Sequence, residues 1–456
     1  MDFDVFIVGS GQAGIPLAAR LARVGKRVAL AERSDPGGTC INYGCTPTKT
    51  MIASARAAHV ARTSDRLGIQ VAEVKVDLEK IVNRKDAIVR RWREEILKTF
   101  RAAGDRLTFL AGHARFAAER QLEVNGERHR AEIVILNVGA RPAVPSLPGI
   151  DQIKWLDNHQ LMELREVPEH LIILGGGYVG CEFGQMFRRF GSQVTIVDRV
   201  GQLLAREDPQ IAAELESAFR NEGIGLELGV AVQGVTNPGR GIVLRLAGSK
   251  EVAGSHLLSA TGRRPNTDDL GCDQGGVRLD DRGFIVIDDY YQTSAPGTYA
   301  VGDATGEPQF THVAWDDHRI LFDLLLGRSK RGRKGRLIPY AVFTDPQVAS
   351  AGLTEREARE RGVAYEVATF PFDHIARAVE VDERAGLIKL IFDPKAERIL
   401  GASIVGAEAG ELIHIFVTLM EANASPRVIV DARYVHPTFA EGVQAAVMKL
   451  RRFSLG

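Results

Sequence analysis

Cys40 and Cys45, in the stretch GGTCINYGC (residues 37–45), are separated by four residues, and the chain holds only two other cysteines, Cys181 and Cys272. Four thiols in 456 residues are too few for a disulfide scaffold. They point to a reducing compartment, where a close pair is catalytic or metal-binding. A tetrahedral zinc site is disfavoured because no second cysteine or histidine pair completes four ligands. Cys181 and Cys272 read as packing residues. The other side chains suited to chemistry are His436 and Glu441, in HPTFAEG near the chain end. Thiol–disulfide interchange needs a proton delivered to the leaving thiol, which an imidazole supplies near neutrality; a carboxylate partner orients the ring and stabilises its cation.

Such groups need a scaffold, and an internal repeat supplies it. The apolar run VFIV leads into Gly9-x-Gly11-x-x-Gly14, an alanine- and leucine-rich helix, and RVALAE ending in Glu32. LIILGGGYVG, with Gly175, Gly177 and Gly180, leads into a second helix and QVTIVD ending in Asp198. In each copy the acid stands 23 positions after the first glycine. Glycine is required where the turn is tight and the backbone approaches a pyrophosphate at a helix N-terminus, and the acid accepts hydrogen bonds from ribose hydroxyls. Two dinucleotides are therefore expected. With a dithiol beside them, the chemistry narrows to electron transfer from one nucleotide to the other and on to sulfur. A flavin suits the middle role, since it takes a hydride from a nicotinamide and reduces a disulfide.

Lys plus Arg equals Asp plus Glu at 58 each, so no global field draws the protein to nucleic acid or a membrane surface, and small molecules are the expected partners. The N-terminus carries no basic leader, and no apolar stretch approaches about 18 residues, which makes a soluble cytoplasmic protein the expectation. The one charge run, GRSKRGRKGR (327–336), reads as a solvated inter-domain loop without function. Thr46-Pro47-Thr48-Lys49 reads as a helix start with proline in its first turn, which puts Cys45 at a positive helix end that lowers a thiol pKa, while Cys40 stays reachable on a loop.

GGTCINYGCTPTK resembles the redox signature of the class I pyridine nucleotide-disulfide oxidoreductases, the glutathione reductase, dihydrolipoamide dehydrogenase and mercuric reductase family, and the likeness continues along essentially the whole chain. TSAPGTYAVGD (293–303) resembles the second flavin motif, ATGRRPN (260–266) the segment returning from the nicotinamide domain, and VGARP (138–142) the one leading into it, with Val138 where the family has threonine. VFTDPQVASAGLTEREA and HPTFAEG are similar to the interface domain. The resemblance implies FAD held by Gly9, Gly11, Gly14, Glu32, Gly38, Thr39, Gly139, Gly262 and Asp303, the last on the ribityl chain. It implies NAD(P)H held by Gly175, Gly177, Tyr178, Gly180, Asp198 and Arg199, with Tyr178 covering the nicotinamide pocket. Cys45 would face the flavin as the charge-transfer thiolate and Cys40 would exchange with substrate, with Tyr43, where many relatives have valine, narrowing the approach. Lys49 and Glu182 would pair near flavin N5. His436 and Glu441 would reach the active site of the other subunit, which implies a homodimer. Gly180 and Asp198 favour NADH, whereas Arg199 and Arg206 suit a 2′-phosphate; the reading leans to NADH.

The expected fold class is α/β: two Rossmann-like dinucleotide-binding domains plus a C-terminal α+β dimerisation domain. The boundaries are 1–150 and 270–336 for the two parts of the FAD-binding domain, 151–269 for the NAD(P)-binding domain and 337–456 for the interface domain. The first part carries a helical insertion, VDLEKIVNRKDAIVRRWREEILKTFRAAG, and the last has strand-like runs FPFDHIARAV, GLIKLIFD and RILGASIVG before two terminal helices. The expected enzyme is an FAD-dependent NAD(P)H oxidoreductase that passes a hydride through flavin to a Cys40–Cys45 disulfide and on to a thiol or disulfide substrate. The alternative is a flavin reductase of quinones or metal ions with the dithiol secondary. The chain ends RRFSLG without the C-terminal cysteine pair of true mercuric reductases, and no metal-binding domain precedes the flavin motif, so mercury detoxification is not expected.

Overall fold

The computed structural model describes residues 2–239 and 241–454. Its chain divides into two compact units, the first comprising the segment up to Met51, Glu79–Val144 and Gly262–Arg336, the second Ile52–Leu78, Pro145–Thr261 and the chain from Leu337 onward.

In the first unit, β1 (Phe3–Val8), α1 (Gly14–Arg23) and β2 (Val28–Glu32) form the first glycine-turn motif. α1 buries Leu17, Ala18, Leu21 and Ala22, spaced as one helical face, against Val5, Ile7, Val28 and Leu30. α2 (Gly38–Asn42), α3 (Cys45–Arg62) and α4 (Leu78–Ala102) follow, then strands β3 (Leu107–Ala111), β4 (Ala114–Ala118), β5 (Gln121–Val124) and β6 (Glu127–Leu136). The sheet runs β3-β2-β1-β6-β5-β4, with Thr298–Ala300 also on β6. β3, β2, β1 and β6 are parallel, and β4 and β5 close the far side as an antiparallel ribbon. Strand order reverses between β1 and β6, and that switch point is where an open α/β sheet takes a ligand.

The second unit repeats the arrangement. His170–Leu174 lies between Gln193–Asp198 and His256–Ser259 in a parallel sheet that continues to Gly225–Leu228. Its C-terminal part is a five-stranded antiparallel sheet in the order Tyr340–Val342, Gln347–Gly352, Arg398–Gly406, Leu387–Asp393, Glu366–Pro371. Phe372, Phe392, Ile404, Phe416 and Val443 form its core with the helices Ala409–Glu421 and Ala440–Met448. This is the α/β class expected, with the α+β part at the C-terminal end.

Three local expectations need correction. FPFDHIARAV is a strand only to Pro371; it turns into a 3₁₀ segment at Phe372–His374 and a helix at Ala376–Glu380, because Phe372, Ile375 and Ala378 bury one side at a spacing of three. Cys40 lies within the five-residue α2 rather than on a loop. A short helix, Arg427–Asp431, precedes the last one, so the chain end holds more than two helices. Among the described residues, no helix is long and apolar enough to cross a membrane.

Candidate functional site

The two glycine turns share one geometry. A Cβ on Gly9 would stand 2.3 Å from the Asn137 carbonyl oxygen, and one on Gly175 2.5 Å from that of Ala260. A Cβ on Gly14 would stand 2.1 Å from the Gly9 carbonyl oxygen, and one on Gly180 1.9 Å from that of Gly175. The first glycine thus lets the turn pass under the neighbouring strand end, and the third lets the helix start against the turn. The acids repeat too. Glu32 accepts the Ser10 N–H at 2.9 Å and Asp198 accepts the Gly176 N–H at 2.6 Å, each from the residue after the first glycine. Carboxylate and loop are locked together in both copies.

The remaining residues expected around the flavin gather at the same switch point. Gly38 begins α2, and a Cβ there would come 2.8 Å from the Gly11 Cα. Thr39 accepts the Tyr43 N–H at 2.8 Å, closing α2. Ala140–Pro142 pairs antiparallel with Arg263–Pro265, which puts Gly139 and Gly262 at opposite ends of the same seam, where their carbonyls accept the Asn266 and Ala143 N–H groups, each at 3.0 Å. A Cβ on either glycine would meet nothing within 4 Å, so the space beside them is open. Asp303 lies 3.9 Å from the Arg263 guanidinium, and burial raises its carboxyl above the ordinary range. The Arg263 Nε is buried without a partner. Glycine-lined space, a carboxylate for ribose, a second recessed carboxylate and an unmet guanidinium N–H fit a flavin dinucleotide.

Cys45 is the first residue of α3, as its following proline predicted, and is exposed; Cys40 is half-buried, and both are thiols. The Cys45 Sγ lies 3.2 Å from the Thr311 Oγ. The Cys40 thiol is pushed far above its usual range, first by its hydrogen bond with Cys45 and then by burial, while the Lys49 ammonium opposes the shift. Lys49 lies one turn into α3. Tyr43 donates its hydroxyl to Asp35 at 2.8 Å, and Arg93 from α4 bonds the same carboxylate at 2.8 Å and the Asn42 Oδ1 at 2.6 Å.

In the second unit, Tyr178 opens the helix Tyr178–Phe190 on an exposed site, and Gly177 caps it with open space where a Cβ would stand. Asp198 also accepts the Val200 N–H at 2.8 Å, which orders the loop that carries the exposed Arg199. Glu182 is buried and accepts the Phe343 N–H at 2.9 Å. His436 Nδ1 lies 3.1 Å from Glu441, whose other oxygen accepts the Thr438 N–H at 2.8 Å. That backbone bond, with the imidazole's help, holds Glu441 below the usual carboxylate range. Cys181 and Cys272 are buried in packed cores, as expected.

Several residues at these sites had no sequence signal of their own. Asn137 contacts the glycine turn as a whole, donating to the Gly9 carbonyl at 3.1 Å; only its place beside VGARP marked it. Thr311 stands on a helix after the Asp303 motif. The basic run 327–336 is also more than a solvated loop. The Arg336 side chain is almost wholly buried, 2.7 Å from Asp317, and three carboxylates converge on it.

Comparison with known proteins matches the geometry. Residues 3–317 match the family model described as pyridine nucleotide-disulphide oxidoreductase, and residues 338–447 match that family's dimerisation domain. Mercuric reductase of Staphylococcus aureus is 33% identical over 451 residues, covering 98% of this chain and 82% of the relative. The probable pyridine nucleotide-disulfide oxidoreductase RclA of Escherichia coli (strain K12) is 35% identical, with 97% and 98% covered. Dihydrolipoyl dehydrogenase of Thermus scotoductus is 32% identical, with 99% and 98% covered. A solved structure described as the Cu(II) complex of HOCl-induced flavoprotein disulfide reductase RclA from Escherichia coli superposes with a TM-score of 0.90 at 34% identity, covering 98% of this chain and 100% of that one.

Proposed function

Because this chain belongs to the pyridine nucleotide-disulphide oxidoreductase family, an enzyme family that uses FAD and NAD(P)H, we propose that Cys40 and Cys45 are its redox pair and that a small disulfide is its substrate. Its dimerisation domain supports a homodimer. The observation that carries the proposal is the asymmetry of the two thiols. Cys45 sits exposed at a helix start beside the Thr311 hydroxyl, whereas Cys40 is half-buried and its thiol is pushed up first by its hydrogen bond with Cys45 and then by burial. In this reading Cys45 carries the thiolate and Cys40 keeps its proton.

When bound, the flavin supplies hydride acceptance from the nicotinamide and an electron pair to sulfur. Lys49 puts a cation beside the thiols, and Glu182 is its proposed partner. Cys40, held as a thiol, needs a base before it can attack. His436 takes that proton, oriented through Nδ1 by Glu441, from the partner subunit. The Cys40 thiolate then attacks one sulfur of the substrate; the substrate S–S bond breaks, and the departing thiolate takes the proton from the imidazole. Cys45 next attacks the Cys40 sulfur, closes the Cys40–Cys45 disulfide and releases the second half of the substrate as a thiolate, which takes its proton from water. Two thiols leave for each disulfide consumed.

A second reading has the acceptor as a soft metal ion, since adjacent thiolates favour one and the relatives include mercuric reductases and a Cu(II) complex. The test follows NAD(P)H oxidation with lipoamide, small disulfides, quinones, Hg(II) and Cu(II) in the wild type, Cys40→Ser and Cys45→Ser. Both variants should lose disulfide reduction by at least about a thousandfold while nicotinamide still bleaches the flavin. Full turnover with the best acceptor in both variants refutes the dithiol route.

A further inference from the structure

We infer that Arg336, from the basic stretch 327–336, is a positioning residue for the flavin: it clamps the turn that carries Asp303. The Asp303 turn runs from Gly302 to Thr305 as a single 3₁₀ segment; its first residue is tied to a carboxylate, and a second carboxylate follows two residues beyond its last. At its start the Gly302 N–H donates to the Asp317 Oδ2 at 2.8 Å. Just past its end stands Glu307. Arg336 bridges the two, with Nη1 2.7 Å from the Asp317 Oδ1 and Nη2 3.3 Å from the Glu307 Oε2. Arg333 adds a contact to Glu307 at 2.6 Å.

The clamp is built into the interior. Asp317 is 0% exposed and the Arg336 side chain 4%. The remaining acceptor capacity of Asp317 is met by the Tyr291 hydroxyl at 2.9 Å. Tyr291 is itself fully buried and holds φ at 64°, a left-handed conformation that a bulky residue keeps only where its surroundings over-determine it. A buried carboxylate without its cation leaves an uncompensated charge, so loss of Arg336 acts on the Asp317–Gly302 contact directly. The fork matters as well. Only a planar guanidinium spans two carboxylates on opposite sides, which an ammonium at the same place does not.

The inference rests on the reading that Asp303 meets the flavin, and the test separates the two. Holoenzyme variants are placed in moderate urea, well below unfolding, and the appearance of free-flavin fluorescence is timed; amide exchange of residues 302–305 is followed in parallel. Asp303→Ala sets the scale for a lost flavin contact. Arg336→Met should release flavin at least about tenfold faster and speed exchange at Gly302, and Arg336→Lys should fall between it and the wild type. Pairing Arg336→Met with Asp317→Asn should return the release rate to within a few-fold of wild type, since both charges are then gone. Arg331→Gln, at an exposed arginine 3.6 Å from Asp316, should leave it unchanged. Should Arg336→Met not fold, Glu307→Gln loosens the far end of the clamp alone and should still speed release a few-fold. Wild-type release from Arg336→Met or Glu307→Gln, alongside fast release from Asp303→Ala, overturns the clamp. Wild-type release from Asp303→Ala overturns the assignment of Asp303 and the clamp with it.

Discussion

Replacing Glu207 by glutamine should remove a pH dependence that the wild type carries in its second unit. Glu207 is 1% exposed, and its carboxyl accepts the hydroxyls of Tyr340 and of Ser350, the latter at 2.9 Å. Burial pushes it up to about 7; the Ser350 bond and Arg356 oppose the rise, and the neighbouring Asp208 and Glu357 add to it. The nearby Lys389 is committed to Asp208 and Glu355. An acid whose folded pKa lies above its unfolded value binds its proton more tightly when folded. Its contribution is therefore fully present below about pH 4.5 and is lost as the pH rises through about 7. Over that window the loss is about 3 kcal/mol. Glutamine mimics the protonated acid at every pH. Against the wild type, the variant should be nearly neutral at pH 5 and about 3 kcal/mol more stable at pH 8, which opens a gap of roughly 3–6 °C in Tm. Paired thermal scans of both holoproteins, at one concentration and scan rate, read the difference, so that other titrating groups cancel. A Tm gap that stays flat from pH 5 to 8 refutes the assignment.

Thr311→Val removes the hydroxyl 3.2 Å from the Cys45 sulfur. The long-wavelength band of the reduced enzyme, from a thiolate against the flavin, should then need about one pH unit more to appear; an unmoved titration would show that the hydroxyl does not hold the anion. Gly180→Ala drives a methyl into the Gly175 carbonyl and should abolish NAD(P)H binding with FAD retained, which a flavin absorbance spectrum and a nucleotide titration separate. Asp198→Asn keeps an acceptor for the Gly176 N–H but drops the charge, so the NADPH-to-NADH ratio of kcat/KM should rise about tenfold; an unchanged ratio removes Asp198 from nucleotide choice. Glu441→Gln takes the carboxylate from His436, so turnover with a disulfide should fall at least about tenfold while flavin reduction by NAD(P)H stays unchanged; unchanged turnover would detach the dyad from proton transfer.

What could be read in advance follows a physical rule: features imposed by backbone geometry are written locally, and features imposed by tertiary approach are not. Gly9, Gly14, Gly175 and Gly180 were readable because no other residue fits their turns, and the acids at Glu32 and Asp198 because strand length fixes their distance. The start of α3 was readable from Pro47. Asn137, by contrast, earns its place from across the sheet, as the residue that Gly9, Gly11 and Gly14 all approach. Arg336 looks like one more solvated charge until the helix Thr311–Leu325 brings Asp316 and Asp317 to it. Cys40 reads as a loop residue because a helix as short as α2 has no period to detect. FPFDHIARAV misled because a short apolar run suits a strand as well as a helix.

The pairing of Ala140–Pro142 with Arg263–Pro265, closed by the Ala143 N–H on the Gly262 carbonyl at 3.0 Å, means that the segment 145–261 leaves the first unit and returns to it through one zipped doorway. Everything between those two points is, to the first unit, a single long loop whose mouth is already shut. Closing such a mouth costs chain entropy that grows only with the logarithm of loop length. The size of the guest segment is therefore nearly irrelevant to its host. A gene in which residues 145–261 are cut out and 144 is joined to 262 by a short flexible linker should still encode a folded, flavin-binding first unit. Conversely, a foreign domain with neighbouring termini should be accepted at the same doorway, making it a natural site for grafting a different electron donor module onto this flavin scaffold.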